Sequence, residues 1–140
     1  SRGMSTEAYS LANDGDKLLS ENFRVREFRC KDGSNTIFID SDLVALLQHI
    51  RDHFNRPVVI TSAYRTVTHN KAVGGSPKSQ HLYGMAADIQ VADTPPEFVA
   101  QYAETLLPGT GGIGVYPKKK GRAKGWVHVD ARKTKARWSL

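Results

Sequence analysis

The sequence predicts one domain that combines α-helices with short β-strands. Two segments have the apolar spacing of helices that pack on one face, and several short apolar runs between turn residues have the length of strands. The last two runs are joined by a basic turn, which predicts a β-hairpin. At 140 residues, with 39% hydrophobic and 24% charged residues, the chain has the size and composition of a single globular domain with its own core.

The polar N-terminal region precedes the predicted core. We expect residues 1–20 to form a flexible lead-in, in which residues 1–4 resemble a tag remnant before a start methionine, and residues 21–140 to form the domain. Asn22–Phe28 alternates apolar and charged residues, which predicts a short strand or extended arm with Phe23, Val25 and Phe28 packed inward. A turn follows at residues 31–34.

A long amphipathic helix is predicted from Ser41 to about His53. Ser41 is a suitable N-cap, and apolar residues then recur at helical spacing. They are Leu43, Leu46, Leu47, Ile50 and Phe54. His49 and His53 lie four residues apart on one face, but Ile50 stands where the helical zinc-protease pattern requires glutamate, so we expect both to be surface residues.

The second half of the chain alternates strands with connecting segments. Val58–Ser62 predicts a buried strand, and residues 63–78, which lack periodicity, predict a long loop. Ala86–Val91 predicts the next strand. A helix should start at Thr94–Glu97, where a capping threonine precedes proline, with an inner face of Phe98, Val99, Tyr102 and Leu106. Strands at residues 111–116 and 126–132 form the hairpin, and a tail follows.

Two groups of polar residues in this half carry the chemistry. His81 and Asp88 lie seven residues apart with Gly84 between them, and a glycine there permits a tight turn. His128 and Asp130 are separated by one residue, so on a strand both point to the same face. Two imidazoles and one carboxylate are the ligand set of catalytic zinc sites, which keep a fourth position for water. The residues therefore predict a small zinc hydrolase.

Charge and cysteine content restrict the partners and the environment. The net charge of +6 and pI near 9.6 favour polyanionic partners, and much of the excess lies in residues 118–124 and 132–137. Cys30 is the single cysteine and is expected to be a small, partly buried apolar residue. No apolar run approaches the ~20 residues that a bilayer span requires, and no signal peptide is visible.

Three motifs resemble those of a peptidase family. They are Ser79-X-His81-X-X-Gly84-X-Ala86-X-Asp88, Gly112-X-Gly114-X-Tyr116-Pro117 and Val127-His128-Val129-Asp130. They resemble the D-alanyl-D-alanine carboxypeptidase-like zinc peptidases of family M15, above all the compact subgroup of bacterial and phage cell-wall hydrolases. Ser62-Ala63-Tyr64-Arg65 is similar to that family's Ser-X-X-Arg element. The resemblance extends from about Asn22 to Trp138.

The resemblance implies a fold, a metal site and a substrate. The fold would be α+β, with a small antiparallel β-sheet and flanking helices, as in hedgehog-type domains and D-alanyl-D-alanine peptidases. Zinc would be bound by His81, Asp88 and His128, and Arg65 would steady a carboxylate or the developing oxyanion. The expected activity is hydrolysis of D-amino-acid-containing bonds in peptidoglycan stem peptides, by a monomer acting in the cell wall, outside the cell, or as a phage lysin. Carboxypeptidase or endopeptidase action, and host or phage origin, stay open.

The sequence departs from the family pattern at the last histidine. Several branches carry a catalytic glutamate three residues before it, where this chain has Gly125, and others carry His-X-His, where this chain has Asp130 in the second position. Two assignments stay open. Either His128 binds zinc and Asp130 is the general base that takes the proton of water, or Asp130 is the ligand. We favour the first because it keeps the usual ligand set.

The sequence is also compatible with two functions that need no catalysis. The first is a zinc-stabilised binding module for the cell wall or another polyanionic partner, because hedgehog-type signalling domains resemble this group and keep the zinc; the missing glutamate at Gly125 favours it. The second is a nucleic-acid-binding domain that uses the two basic segments. The chain has no recognisable reading helix or pattern of stacking aromatics, so we expect no nucleic-acid partner.

Overall fold

A five-stranded sheet forms the centre of the computed structural model, which describes residues 5–140. The strands are β1 (Thr6–Ser10), β2 (Leu18–Ser20), β3 (Phe23–Arg24), β4 (Thr36–Asp40), β5 (Val58–Ser62), β6 (Ala86–Val91), β7 (Gly112–Tyr116), β8 (Trp126–Asp130) and β9 (Ala136–Ser139). The helices are α1 (Leu11–Asp14), α2 (Ser41–Phe54), α3 (Val67–Ala72) and α4 (Pro96–Leu106). The predicted α+β class is confirmed.

The central sheet has the order β5-β6-β8-β7-β9, in which only the β7–β9 pair is parallel. Helices α2 and α4 pack against the sheet and against each other. Side chains on successive strand positions point to opposite faces. Val127 and Val129 of β8 are therefore buried in the core, and His128 and Asp130 lie on the other face, as predicted.

Helix α2 supplies much of the core, as its apolar stripe predicts. Four of the five predicted stripe residues are buried and Phe54 is partly buried. The N-cap is Asp40 rather than Ser41, because the Asp40 carboxylate accepts a hydrogen bond from the Asp42 amide at 2.7 Å. His49 and His53 are exposed, as expected.

The N-terminal region differs from the expected lead-in. Strand β1 pairs antiparallel with β4 along its whole length, from Thr6 opposite Asp40 to Ser10 opposite Thr36. The Ser5 and Thr6 hydroxyls also donate to the Asp40 carboxylate. Residues 6–20 thus form two short strands and a short helix, and Tyr9, Leu11 and Leu19 pack partly buried against the core. Strand β4 was not predicted from the sequence. The suggested tag remnant at residues 1–4 lies outside the described residues.

Several local predictions need correction. The segment 22–28 buries Phe23, Val25 and Phe28 as expected, but it is a two-residue strand followed by a 3₁₀ turn at Val25–Phe28. Strand β5 is at the sheet edge, and of its residues only Ile60 is buried. The predicted loop 63–78 contains α3, whose N-cap hydroxyl on Thr66 accepts from the His69 amide.

The C-terminal half shows two further differences. Helix α4 begins at Pro96 with Pro95 as its N-cap, and Phe98 is 56% exposed while Ala103 takes a buried position. The expected tail forms β9, which pairs in parallel with β7. Cys30 is buried and unpaired with another cysteine. Within residues 5–140, no helix is both long enough and apolar enough to cross a bilayer.

Candidate metal centre

Two histidines and one carboxylate converge on the polar face of the central sheet. His81 Nε2 lies 3.3 Å from Asp88 Oδ1, and His128 Nδ1 lies 3.0 Å from the same oxygen. One ligand atom from each residue lies within 4.8 Å of the other two. His81 and His128 are buried, and Asp88 is partly buried. The structure therefore brings together the three residues that the family resemblance implied.

His81 is positioned by a short 3₁₀ turn at Gln80–Tyr83. Ser79 caps the turn, because its hydroxyl accepts from the His81 amide at 3.2 Å. Gly84 ends the turn with φ of 71°, in the left-handed region that glycine adopts without strain. His81 Nδ1 lies 2.6 Å from the carbonyl oxygen of Ala63, so Nδ1 carries the proton. Nε2 is then the nitrogen with a free lone pair, and it faces Asp88.

His128 is positioned by strand pairing. Asp88 on β6 lies directly opposite His128 on β8 in the antiparallel register, so their side chains share a face. His128 Nε2 lies 2.7 Å from Asp130 Oδ2. With Nε2 donating to that carboxylate, Nδ1 faces Asp88 with its lone pair free. In each histidine, one ring nitrogen is therefore fixed by a hydrogen bond to a protein oxygen, and the other ring nitrogen is directed towards Asp88 Oδ1.

Asp130 lies behind His128 and is fully buried. Its Oδ1 accepts from the Gly112 amide at 2.8 Å, the Arg132 amide at 3.1 Å and Arg132 Nε at 2.8 Å. Its Oδ2 accepts from Arg132 Nη2 and His128 Nε2, each at 2.7 Å. A carboxylate has about four lone-pair sites, so this one has no free site. The predicted role of Asp130 as a general base does not fit this position, and neither does the alternative role of metal ligand.

Charge keeps the carboxylates of this group ionised. Burial opposes ionisation of Asp88, but its interactions with the neighbouring His128 and His81 rings hold its pKa below the ordinary value. Burial likewise opposes ionisation of Asp130, but His128 and Arg132 hold its pKa low. Burial lowers the pKa of His128, but the protonated ring, unlike the neutral one, can donate a hydrogen bond to both Asp130 and Asp88, and these two interactions outweigh burial and raise the pKa. Two carboxylates that favour a proton on His128 would equally favour a metal cation beside it.

Arg65 lies at the edge of the group, as the resemblance implied. Its Nη2 is 3.4 Å from Asp88 Oδ2, the oxygen that the histidines do not contact. Its Nε donates to the Ser62 hydroxyl at 3.0 Å and its Nη1 to the Asn70 amide oxygen at 3.1 Å. The guanidinium is therefore fixed in orientation and only 14% of the side chain is exposed.

The group opens into a groove of about 610 Å³. Cationic side chains of Arg65, Lys78 and Arg132 line it, and Asp88 is its only carboxylate residue among the described lining. Aromatic rings form another part of the wall: Tyr116 and Trp126 stack at 4.7 Å, and Trp138 Nε1 donates to the Tyr116 hydroxyl at 2.9 Å. The Trp138 ring lies 4.9 Å from that of His128.

Sequence reasoning missed several residues of this environment. The sequence predicts a tail at Trp138, whereas the parallel pairing of β9 with β7 brings this residue to the groove. The sequence indicates only a basic segment at Arg132. This arginine lies two positions after Asp130 of the His-X-Asp motif and donates hydrogen bonds to that carboxylate. Asn70 was part of a predicted loop and had no signal in the sequence.

The comparison with known families agrees with this geometry. The family model described as Peptidase M15 matches residues 21–130. The chain belongs to the M15 peptidases. The expected family is therefore confirmed, and the metal dependence of M15 peptidases agrees with the convergence of His81, Asp88 and His128. No curated protein matches the chain in sequence.

The donor set of this M15 peptidase suits a metal ion. Two imidazole nitrogens and one carboxylate oxygen are directed to one point, and each ligand has an outer partner: Ala63 for His81, Asp130 for His128 and Arg65 for Asp88. Such outer partners are typical of ligand histidines and carboxylates, because they fix the tautomer and the ring orientation.

Proposed function

We propose that this M15 peptidase depends on zinc and hydrolyses peptide bonds next to D-amino acids in peptidoglycan. The observation that carries the proposal is the convergence of His81 Nε2, Asp88 Oδ1 and His128 Nδ1 on one point at the base of a groove. This is the three-residue ligand set of catalytic zinc sites, which leaves a fourth position open. The proposed place of action is the cell wall, reached from the cell or by a phage lysin, and the proposed active form is a monomer.

The side chains divide the catalytic work. Bound zinc would supply Lewis-acid polarisation of the substrate carbonyl and would lower the pKa of water toward about 7. Asp130 holds the proton of His128 on Nε2, which leaves the Nδ1 lone pair for the metal. Arg65 places a fixed positive charge beside Asp88, where it can stabilise negative charge that develops on the substrate.

The groove's charge favours an anionic peptide. Arg65, Lys78 and Arg132 line it with one carboxylate residue, Asp88, and the whole chain carries a net charge of +6. Stem peptides of peptidoglycan carry free carboxylates, and cell walls contain anionic polymers. A positive groove raises the local concentration of such substrates.

The test compares wild type with His81→Ala. Zinc content is measured on both proteins, both are incubated with isolated peptidoglycan, and the released fragments are identified by mass spectrometry. We expect about one zinc per chain in the wild type, loss of zinc in the variant, and fragments that end at a D-amino acid from the wild type only. His49→Ala, which removes an exposed histidine, is the control. Zinc-independent cleavage, or cleavage by His81→Ala, would contradict the proposal.

One observation favours a second candidate, a zinc-stabilised binding module. The groove lining described here contains no carboxylate residue apart from Asp88, and Gly125 stands where several branches have a glutamate. This module would bind zinc and sediment with peptidoglycan while releasing no fragment. The peptidase would release fragments, so the same digestion separates the two candidates.

A further inference from the structure

Asn70 on α3 is a buried polar side chain outside the metal donor set, with 3% of its surface exposed. Both ends of its amide have partners. The oxygen Oδ1 accepts from Arg65 Nη1 at 3.1 Å, and the nitrogen Nδ2 donates to the carbonyl oxygen of Ser76 at 2.8 Å. The side chain thus joins the guanidinium beside Asp88 to the loop that borders the groove.

The backbone around Asn70 closes that loop over the contact. The Gly75 amide donates to the Asn70 carbonyl oxygen at 2.8 Å. A Cβ atom at Gly75 would overlap Asn70 Oδ1 and would lie 3.0 Å from Arg65 Nη1. The absence of a side chain at Gly75 is therefore what allows the loop to lie directly on the Asn70–Arg65 hydrogen bond.

All three nitrogen atoms of the Arg65 guanidinium donate hydrogen bonds to side chains. Ser62 accepts from Nε, Asn70 accepts from Nη1, and Asp88 accepts from Nη2. The contact with Asp88 is the longest of the three, at 3.4 Å. Because the guanidinium is planar, fixing Nε and Nη1 also fixes the direction of Nη2. Of the two acceptors at the shorter distances, the Asn70 side chain is buried and the Ser62 side chain is only partly buried.

We propose that Asn70 is a positioning residue whose amide oxygen orients Arg65 for its action on the substrate. The inference rests on the proposed peptidase function, in which Arg65 stabilises negative charge at the reacting carbonyl. An electrostatic group of this kind is effective only when it is already oriented before the reaction. An amide suits the position because it accepts a hydrogen bond at one end and donates at the other.

The test uses two substitutions that separate these ends. Asn70→Asp keeps an acceptor for Arg65 and loses the donor to Ser76, whereas Asn70→Ala loses both. We expect Asn70→Ala to lower kcat by about 10- to 100-fold with unchanged zinc content. Asn70→Asp should retain kcat within about threefold of wild type while its melting temperature falls. Equal loss of kcat in both variants would show that an acceptor at this position does not maintain the action of Arg65 and would overturn the proposal.

A double-substitution cycle with Arg65→Ala tests the coupling directly. If Asn70 acts through Arg65, Asn70→Ala should have almost no further effect on kcat when Arg65 is already alanine. Additive losses would contradict the inference. The matched control is Asn35→Ala, because Asn35 also bonds through both amide ends, to Ser10 and Ala12, and is absent from the groove lining. It should leave kcat unchanged.

A measurement without substrate separates this inference from the proposed function. Nitrogen-15 spectra of the arginine side chains of the zinc-loaded protein report guanidinium rotation. Arg65 should show slow rotation in the wild type and in Asn70→Asp, and fast rotation in Asn70→Ala. A wild type that cleaves no peptidoglycan would refute the proposed function, whereas unchanged Arg65 rotation in Asn70→Ala would refute the role of Asn70.

Discussion

The two histidines of the candidate metal centre are held by different parts of the protein. His81 lies on a short turn, and its Nδ1, the ring nitrogen directed away from Asp88, contacts the main-chain carbonyl oxygen of Ala63. His128 lies on a central strand, and its Nε2, the ring nitrogen directed away from Asp88, contacts the side chain of Asp130. One histidine therefore depends on the path of the backbone, and the other depends on a chain of side-chain contacts that continues to Arg132.

This difference predicts how each histidine can be disturbed. A main-chain acceptor cannot be removed by replacing its side chain, so His81 should tolerate side-chain substitutions around it and respond to changes in backbone conformation. A carboxylate can be removed by one substitution, so His128 should respond to changes at Asp130.

Gly84→Ala should disturb the His81 side most strongly. Gly84 has φ of 71°, and an added Cβ would overlap the carbonyl oxygen of Phe38 on β4. The left-handed conformation alone costs about 1–2 kcal/mol for a residue with a side chain, and the overlap with backbone adds to it. We expect the free energy of unfolding, measured with denaturant, to fall by more than about 2 kcal/mol, together with weaker zinc binding.

Gly33→Ala is the matched control for that substitution. Gly33 also has positive φ, 85°, but an added Cβ would meet nothing within 4 Å. The free energy of unfolding of Gly33→Ala should therefore fall only by the cost of the left-handed conformation, about 1–2 kcal/mol. Its zinc binding should equal that of wild type. Equal losses for Gly33→Ala and Gly84→Ala would mean that the approach of Phe38 to the turn is unimportant.

Asp130→Asn should disturb the His128 side. It removes the charge that orients Nε2 and leaves Arg132 without its ion-pair partner. Loss of an outer partner of a metal ligand lowers metal affinity by about 10- to 100-fold, which a zinc titration would measure. Asp93→Asn is the control, since Asp93 is exposed with φ of 53°, a conformation that asparagine tolerates. A variant with full zinc affinity but no turnover would instead support Asp130 as the base.

The sequence predicted the three converging residues of the candidate metal centre better than the contacts that position them. Asp88 and His128 lie on strands whose apolar residues mark them clearly, and the two-residue period places His128 and Asp130 on one face. The hydrogen-bond acceptor for His81 is the main-chain carbonyl oxygen of Ala63. Every residue has such an oxygen, so the residue type at position 63 could not predict this contact. The polar strand β1 could not be predicted for a related reason: it is defined by main-chain pairing with β4 and not by an apolar pattern of its own.

Asp40→Ala tests the connection between that N-terminal pair of strands and His81. The Asp40 side chain caps α2 and accepts from Ser5 and Thr6, whereas its main-chain amide donates to the Gly84 carbonyl oxygen. Alanine keeps the main-chain contact, so zinc affinity should stay within about twofold of wild type. Loss of the cap should lower the free energy of unfolding by about 1–2 kcal/mol.

The control for Asp40→Ala is Asp42→Ala, which removes an exposed acid from the first turn of the same helix without removing its cap. It should have a smaller effect on unfolding. A large loss of zinc affinity in Asp40→Ala alone would show that side chains, and not only the backbone, hold the His81 turn.

Glu104→Gln should have the smallest effect, because it lies away from both histidines. Arg137 of β9 donates to Glu104 at 2.7 Å and thereby holds the pKa of Glu104 below its ordinary value. A depressed pKa in the folded state means that the pair adds stability above the unfolded pKa of glutamate, about 4.3, and that this increment disappears as the pH falls. Wild type should exceed Glu104→Gln in stability at pH 7, and the two curves should converge below about pH 4.

The zinc affinity of Glu104→Gln extends the contrast to β9. The Glu104–Arg137 ion pair has two indirect connections to His128: Arg137 precedes Trp138, whose ring lies 4.9 Å from that of His128, and the Arg137 charge interacts with Asp130. In the described part of the chain, Arg137 makes no hydrogen bond with either residue of the His128–Asp130 pair. Because His128 is oriented by Asp130 and not by Trp138, zinc affinity at pH 7 should equal that of wild type and of Glu21→Gln, which removes an exposed glutamate elsewhere. A drop in affinity for Glu104→Gln alone would show that the side-chain support of His128 extends beyond Asp130 and Arg132, across β7 to the edge of the sheet.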